Sequence, residues 1–174
     1  RPVVNEIVAA EDVLLPFAEY GEQAPEDYAR QAADIGADLQ KLDAHIRANG
    51  GSFHYVGFPE QRVYFGDQYP GYLNSHAAEF ETADGAFAAA LAERGVRFLD
   101  MGTVYDGLDH PAAYYSTVDH HYNYYGAYAA YRAILDTLAA DGWDLPVLTE
   151  DDIDFVELPN PYIGSRSRKL YNLW

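Results

Sequence analysis

Residues 25–59 read PEDYARQAADIGADLQKLDAHIRANGGSFHYVGFP, a helix-like segment joined to a strand-like one by two glycines. Pro25 and the two acids behind it are typical of a helix start, because proline fits the first turn and acids stabilise the positive end of the helix dipole. Apolar residues then recur every three or four positions, as on one helix face: Tyr28, Ala32, Ile35, Leu39, Leu42 and Ile46. The glycines end this pattern, and the aromatic and β-branched run 52–58 predicts a strand that stops at the next proline.

The same succession recurs along the chain. Residues 76–94 carry apolar side chains at helical spacing and end at Gly95, and residues 96–102 (VRFLDMG) predict a second strand. A third helix is predicted by five residues at helical spacing: Tyr124, Tyr128, Tyr131, Leu135 and Leu138. Alternating helices and strands favour a three-layer α/β/α domain with a mainly parallel sheet. Only two strong strands are visible, so we expect an incomplete sheet whose open edge pairs with another chain or fragment, or is covered by the tail at 161–174.

Length and charge exclude several classes of protein. The 174 residues hold 28 acidic and 11 basic side chains, a formal net charge of −17 at pH 7. The length predicts a single domain over residues 1–174, and the charge argues against nucleic acid, since phosphate contacts need cations. The absence of cysteine excludes disulfides, thiolate nucleophiles and cysteine-type zinc sites. No apolar run reaches the length of a membrane span, and the chain opens without a signal-peptide pattern.

The charge pattern changes after residue 140. Residues 141–160 contain acids and no base, whereas residues 161–174 (PYIGSRSRKLYNLW) contain bases and no acid. The first stretch predicts a solvated acidic connection. The second is a basic, aromatic tail that we expect to fold back or to dock elsewhere.

Reactive side chains are densest in residues 105–121, YDGLDHPAAYYSTVDHH. This stretch follows the second predicted strand, and ligands of open parallel sheets bind outside the carboxyl ends of strands. Three interpretations are open on the residues alone. They are a polar loop with incidental histidines, a metal site, and a catalytic carboxylate–histidine pair.

The spacing of these residues helps to distinguish the metal site from the catalytic carboxylate–histidine pair. Asp119 and His121 could reach one ion, but the adjacent His120 and His121 are expected to diverge, and no helical H-x-x-x-H pair accompanies them. We therefore expect no intrinsic metal, zinc included, and no cofactor. In the catalytic interpretation Asp119 holds the imidazole tautomer and His121 acts as a general base. Because the D-x-H step precedes a helix, both side chains can turn inward from one loop, with His120 directed elsewhere.

Residues 114–135, YYSTVDHHYNYYGAYAAYRAIL, resemble the block Y-Y-x-T-D-x-H-W-(T/N)-x-x-G-A-x-x-A-Y of the DHHW proteins. These belong with the alginate O-acetyltransferase-like (AlgJ/AlgX-type) branch of the SGNH hydrolases. Four further segments resemble elements of that branch in the same order: EIVAAEDVLLPF, FHYVGFPEQRVYFGDQYPGYL, GVRFLDMGTVYD and NPYIGSRSRKL. The similarity thus spans nearly the whole chain.

The resemblance implies a flavodoxin-like SGNH α/β fold and assigns the catalytic pair to Asp119 and His121. It implies a serine-dependent O-acyltransferase or esterase that acts on cell-surface polysaccharide in an extracytoplasmic, bacterial location. The expected partners are an acyl donor and a glycan or other hydroxyl acceptor. Five tyrosines are candidates for lining the substrate groove, with core packing as the alternative role for each: Tyr64, Tyr69, Tyr114, Tyr115 and Tyr122. Tyr122 stands where that family usually has tryptophan.

The nucleophile is the main departure from that pattern. In that branch the serine follows a later strand and turn, beyond the G-S-x-x-S-K element that Ser165 and Ser167 match here. We therefore expect the chain to be truncated before the nucleophile, so that alone it shows little esterase activity. Arg62 is the basic residue nearest to the family's P-x-K lysine, shifted by one position. The alternative function is a catalytically inactive glycan-binding or structural module of the same fold.

Overall fold

A computed structural model describes residues 3–17 and 23–171 of the chain. Two compact units are present: a terminal unit, Arg1–Phe17 with Ala113–Trp174, and a central unit, Ala18–Ala112. In chain order the strands and α-helices are β1 (Val3–Val4), β2 (Ile7–Ala9), β3 (Leu14–Pro16), α1 (Pro25–Ala48), β4 (Tyr55–Gly57), α2 (Arg62–Phe65), α3 (Ala77–Glu93), β5 (Phe98–Asp100), α4 (Met101–Asp106), α5 (Tyr124–Ala140) and α6 (Ser165–Leu170).

The central unit contains the predicted helix–strand alternation. Strands β4 and β5 pair in parallel, with Tyr55 opposite Phe98 and Gly57 opposite Asp100. Helix α1 packs against α3, and α3 also contacts β5. The α/β class with a parallel sheet and the three main helices are therefore confirmed.

The buried face of α1 differs from the apolar stripe in the sequence. Ile35 and Leu42 are 50% and 44% exposed, and the buried positions are Ala32, Gly36 and Asp43. The reason is close packing, since a Cβ on Gly36 would lie only 3.3 Å from the Arg94 side chain. Gly36 thus faces α3, whereas the larger side chains of Ile35 and Leu42 are about half exposed.

The terminal unit contains an antiparallel sheet that the sequence analysis did not predict. Its strand order is β1-β2-β3, with Val8 opposite Leu15 at its fully buried centre. The tail folds back onto this sheet within the unit, as α6 packs on β2 and β3 and the buried Arg166 donates to the Leu14 carbonyl at 2.8 Å. Residues 141–160 are exposed, apart from the half-buried Ile153.

No helix in the part of the chain that the structure describes combines the length and apolar character needed to cross a membrane.

Candidate active site

The D-x-H step lies in a loop of the terminal unit that hydrogen bonds close on itself. Tyr115 and Tyr122 form an antiparallel bridge, and the Ser116 amide donates to the His121 carbonyl at 3.0 Å. Helix α5 begins directly afterwards, where the Asn123 side chain accepts from the amides of Tyr125 and Gly126 at 3.0 and 3.1 Å. A helix N-cap therefore fixes one end of the loop that presents the two histidines.

Asp119 is the buried centre of this loop, with 4% of its surface exposed. Its Oδ1 lies 2.8 Å from His121 Nδ1 and accepts from the His120 amide at 2.7 Å. Its Oδ2 accepts from the Tyr162 hydroxyl at 3.0 Å and from the Ser165 amide at 2.7 Å. Both carboxylate oxygens are thus satisfied, which a buried carboxylate requires.

These donors keep the carboxylate ionised. Burial raises the pKa of Asp119, but the hydrogen bonds from the Ser165 amide, the His121 ring, the Tyr162 hydroxyl and the His120 amide outweigh burial. The pKa of Asp119 consequently lies well below its ordinary value. The same bond to Asp119 raises the pKa of the Tyr162 hydroxyl.

The structure brings Asp119 and His121 together, as the D-x-H spacing led us to expect. An ionised carboxylate only accepts, so His121 Nδ1 carries the proton of the neutral ring and Nε2 carries the lone pair. The His121 side chain is 66% exposed, and its hydrogen bonds to other described residues engage Nδ1 alone. This geometry suits a general base that takes a proton at Nε2, although the catalytic role itself stays a prediction.

The prediction that His120 is directed elsewhere is wrong. His120 Nδ1 lies 3.0 Å from Asp119 Oδ1 and 3.0 Å from Ser165 Oγ, and the two histidine rings are 3.7 Å apart at their centroids. The physical reason is that Nδ1 of His120 has two polar neighbours, the buried carboxylate and the Ser165 hydroxyl, which hold its ring toward the site. Because both contacts of His120 use Nδ1, its ring does not link Ser165 to Asp119 through its two nitrogens, as a catalytic triad does.

Ligand atoms of Asp119, His120 and His121 all lie within 4.8 Å of one another. Two imidazoles and a carboxylate are donors that zinc accepts. The expected divergence of the two histidines therefore does not occur. The expectation of no intrinsic metal is a separate matter and stays a prediction.

The five candidate groove tyrosines are divided between the units. Tyr114, Tyr115 and Tyr122 lie in the terminal unit, whereas Tyr64 and Tyr69 lie in the central unit. The rings of Tyr69 and Tyr115 are buried, which corresponds to the alternative role of core packing. Tyr64 is half-buried, and burial together with Asp106 raises the pKa of its hydroxyl.

Sequence reasoning missed Tyr162 and Gly164 as parts of the site. Gly164 has no room for a side chain, since a Cβ there would lie 2.2 Å from the Val118 carbonyl oxygen. This close approach lets the Ser165 amide reach Asp119. Neither the charge pattern of the tail nor the family resemblance of the NPYIGS segment predicts its contact with the D-x-H loop.

The fold is of the α/β class, and the comparison with known families assigns the domain to the SGNH hydrolase type. The family model described as the SGNH hydrolase-like domain of the acetyltransferase AlgX matches residues 8–153. The chain belongs to this family. The narrower resemblance to the DHHW proteins stays a prediction.

Solved structures show the same fold. The chain is similar to Bacillus cereus PatB1, with a TM-score of 0.58 and 17% identity over 78% of this chain and 42% of that one. A structure of PatB1 with a sulfonyl adduct gives a TM-score of 0.58 and 18% identity over 77% of this chain and 43% of that one. The chain therefore spans less than half the length of these relatives. No curated protein matches the sequence.

Proposed function

We propose that this chain supplies the aspartate–histidine half of the catalytic machinery of an SGNH-type O-acyltransferase or esterase. The observation that carries the proposal is the 2.8 Å contact between His121 Nδ1 and the buried, ionised Asp119. Membership of the SGNH hydrolase-like family supports it, because the pair coincides with the residues that the family resemblance assigns.

The pair would act twice in one turnover. His121 Nε2 accepts the proton of a serine hydroxyl as the serine oxygen attacks the acyl carbonyl, and the imidazolium returns that proton to the departing group. The acyl-serine is then attacked by a sugar hydroxyl or by water. Nε2 takes the proton of the attacking group and gives it back to the serine oxygen. Asp119 stabilises the imidazolium in both halves.

The nucleophile of this proposal is a serine other than those beside the pair. Ser165 donates its amide to Asp119 and contacts His120 rather than His121 Nε2. Ser116 holds the loop, since its amide donates to the His121 carbonyl and its hydroxyl accepts from the Val118 amide. Both residues are therefore structural parts of the site.

The proposed acceptor is a cell-surface polysaccharide, with an acyl donor as second substrate and an extracytoplasmic location. Exposed tyrosine faces support this choice, because such rings combine an apolar surface for a sugar with a polar edge. Tyr162 is exposed and touches Asp119, and the exposed Tyr124 and Tyr125 open α5 directly after the loop.

The test is hydrolysis of an activated acetyl ester by the product of the complete gene. Asp119→Asn is expected to lower kcat by roughly 10⁴-fold, as for the equivalent change in a serine triad. His121→Ala should be at least as damaging. His110→Asn is the matched control, because this exposed histidine lies outside the site and asparagine tolerates its positive φ of 57°. Equal activity of wild type and His121→Ala would contradict the proposal.

The 174-residue chain alone provides a second test. We expect little turnover from it, and labelling of the complete gene product with a sulfonyl fluoride should modify a serine other than Ser165. Robust turnover by the chain alone that Ser165→Ala abolishes would show that the nucleophile is misplaced. A complete gene product that neither turns over nor becomes labelled would favour the inactive glycan-binding module.

A further inference from the structure

One side chain of the site has no part in the proposed reaction. His120 places Nδ1 within 3.0 Å of Asp119 Oδ1, from which His121 Nδ1 is 2.8 Å away. Both imidazole side chains are more than half exposed, whereas the carboxylate is buried. Two imidazole nitrogens and one anionic oxygen therefore lie within 4.8 Å of one another.

We infer that Asp119, His120 and His121 form a reversible binding site for a zinc ion, which competes with the catalytic use of His121. Zinc bonds to imidazole nitrogen and carboxylate oxygen are about 2.0–2.2 Å long, so tetrahedral ligand atoms lie about 3.3 Å apart. The two contacts of Asp119 Oδ1, at 2.8 and 3.0 Å, must therefore open by only a few tenths of an ångström. Because the rings are exposed, they can make this adjustment. Ser165 Oγ, 3.0 Å from His120 Nδ1, or water can complete the coordination.

The donor set also selects the ion. Magnesium and calcium prefer oxygen ligands, whereas imidazole suits zinc and its neighbours in the transition series. Asp119 already accepts hydrogen bonds on both oxygens, so an ion must displace some of them. Zinc should consequently exchange on dialysis, in keeping with the expected absence of an intrinsic metal.

Occupation of the site would disable His121 as a base, a consequence that rests on the proposed function. In the free site His121 carries its proton on Nδ1, which faces Asp119, and its lone pair on Nε2. Zinc takes the Nδ1 lone pair, so the single proton of the neutral ring moves to Nε2. The ring stays neutral, but Nε2 no longer accepts a proton from a hydroxyl.

Calorimetric titration of zinc chloride into this chain at neutral pH tests the site without any assay of activity. We expect one equivalent to bind, and His120→Ala and His121→Ala each to weaken binding by more than about tenfold. His110→Asn should bind zinc like the wild type, and magnesium chloride should give no binding heat. Absence of zinc binding, or binding that survives both alanine changes, would overturn the inference. Circular dichroism of each variant confirms that the fold is retained.

Inhibition of the complete gene product separates this inference from the proposed function. Zinc should inhibit hydrolysis of the acetyl ester, and His120→Ala should keep the basal turnover while losing the sensitivity to zinc. Equal inhibition of the His120→Ala variant would overturn the inference. If the complete gene product shows no turnover, the proposed function fails and the calorimetry still decides the zinc site.

Discussion

At the scale of single residues, Gly164 controls how the tail approaches the D-x-H loop. A Cβ at this position would lie 2.2 Å from the Val118 carbonyl oxygen and 3.0 Å from the Asp119 Cβ. Gly164→Ala should therefore destabilise the protein by about 1–3 kcal/mol, the usual cost of overpacking, as measured by urea unfolding. Gly71→Ala is the control, because a Cβ there meets nothing within 4 Å. Equal effects of the two changes would contradict this account of the contact.

Asp84, on α3 of the central unit, should make stability depend on pH. Burial, with smaller contributions from Asp100 and Glu60, raises the pKa of Asp84 from 3.8 to about 6. The folded state thus binds the proton more tightly than the unfolded state. The protonated carboxyl group of Asp84 therefore contributes to the stability of the folded state. This contribution is complete below pH 3.8 and is lost as the pH rises through about 6.

Asp84→Asn should accordingly stabilise the protein above pH 6 by about 1 kcal/mol, a figure reduced because the side chain is partly exposed. The difference from wild type should vanish near pH 4, and thermal unfolding across this pH range measures it. Asp38→Asn is the control, since the hydrogen bond from Lys41 lowers the pKa of Asp38 and its removal should not stabilise at neutral pH. A constant difference between wild type and Asp84→Asn at every pH would count against a titrating Asp84.

At the scale of elements, the start of α5 connects helix stability to the site. Asn123 caps the helix and also donates to the Ala113 carbonyl at 2.7 Å, across the base of the loop. Asn123→Ala should cost about 1–2 kcal/mol in unfolding free energy, because it removes the cap and the loop contact together. Asn123→Asp keeps the side-chain oxygen that caps α5 but removes the NH₂ group that donates to Ala113. Its smaller loss of unfolding free energy therefore reports the loop contact alone. If both variants are equally unstable, the cap contributes nothing.

The elements that could be predicted are those encoded locally. Helices α3 and α5 show apolar periodicity and end two residues before Gly95 and Gly142, both with positive φ. Strands β1 to β3 are two or three residues long, and although their sequence is apolar and extended in character, no local pattern reveals their antiparallel pairing. The short α6 is held by Arg166 against β3, a contact 152 residues apart in sequence.

At the scale of the whole molecule, the candidate site also combines contacts that are local in sequence with contacts between residues far apart in the chain. The contact between Asp119 and His121 could be predicted, because two residues of one loop suffice to form it. The donors to Asp119 Oδ2 are the Tyr162 hydroxyl and the Ser165 amide. These residues lie 43 and 46 positions after Asp119, so only folding brings them to the carboxylate. The position of His120 could not be predicted for the same reason, because its Nδ1 contacts Ser165 Oγ, 45 residues later in the chain.

The net charge of −17 should make the stability of the whole molecule rise with salt. Like charges in excess repel one another in the compact state, and ions screen exposed charges over about 10 Å at 0.1 M ionic strength. We expect sodium chloride added up to about 0.15 M to raise Tm by a few degrees, roughly 2–4 °C for each kcal/mol gained. The triple variant Asp151→Asn, Asp154→Asn, Glu157→Gln removes charge from the exposed acidic connection and should show a smaller rise. A Tm that falls with added salt would show instead that ion pairs such as that between Arg47 and Asp43, 2.7 Å apart, outweigh the net repulsion.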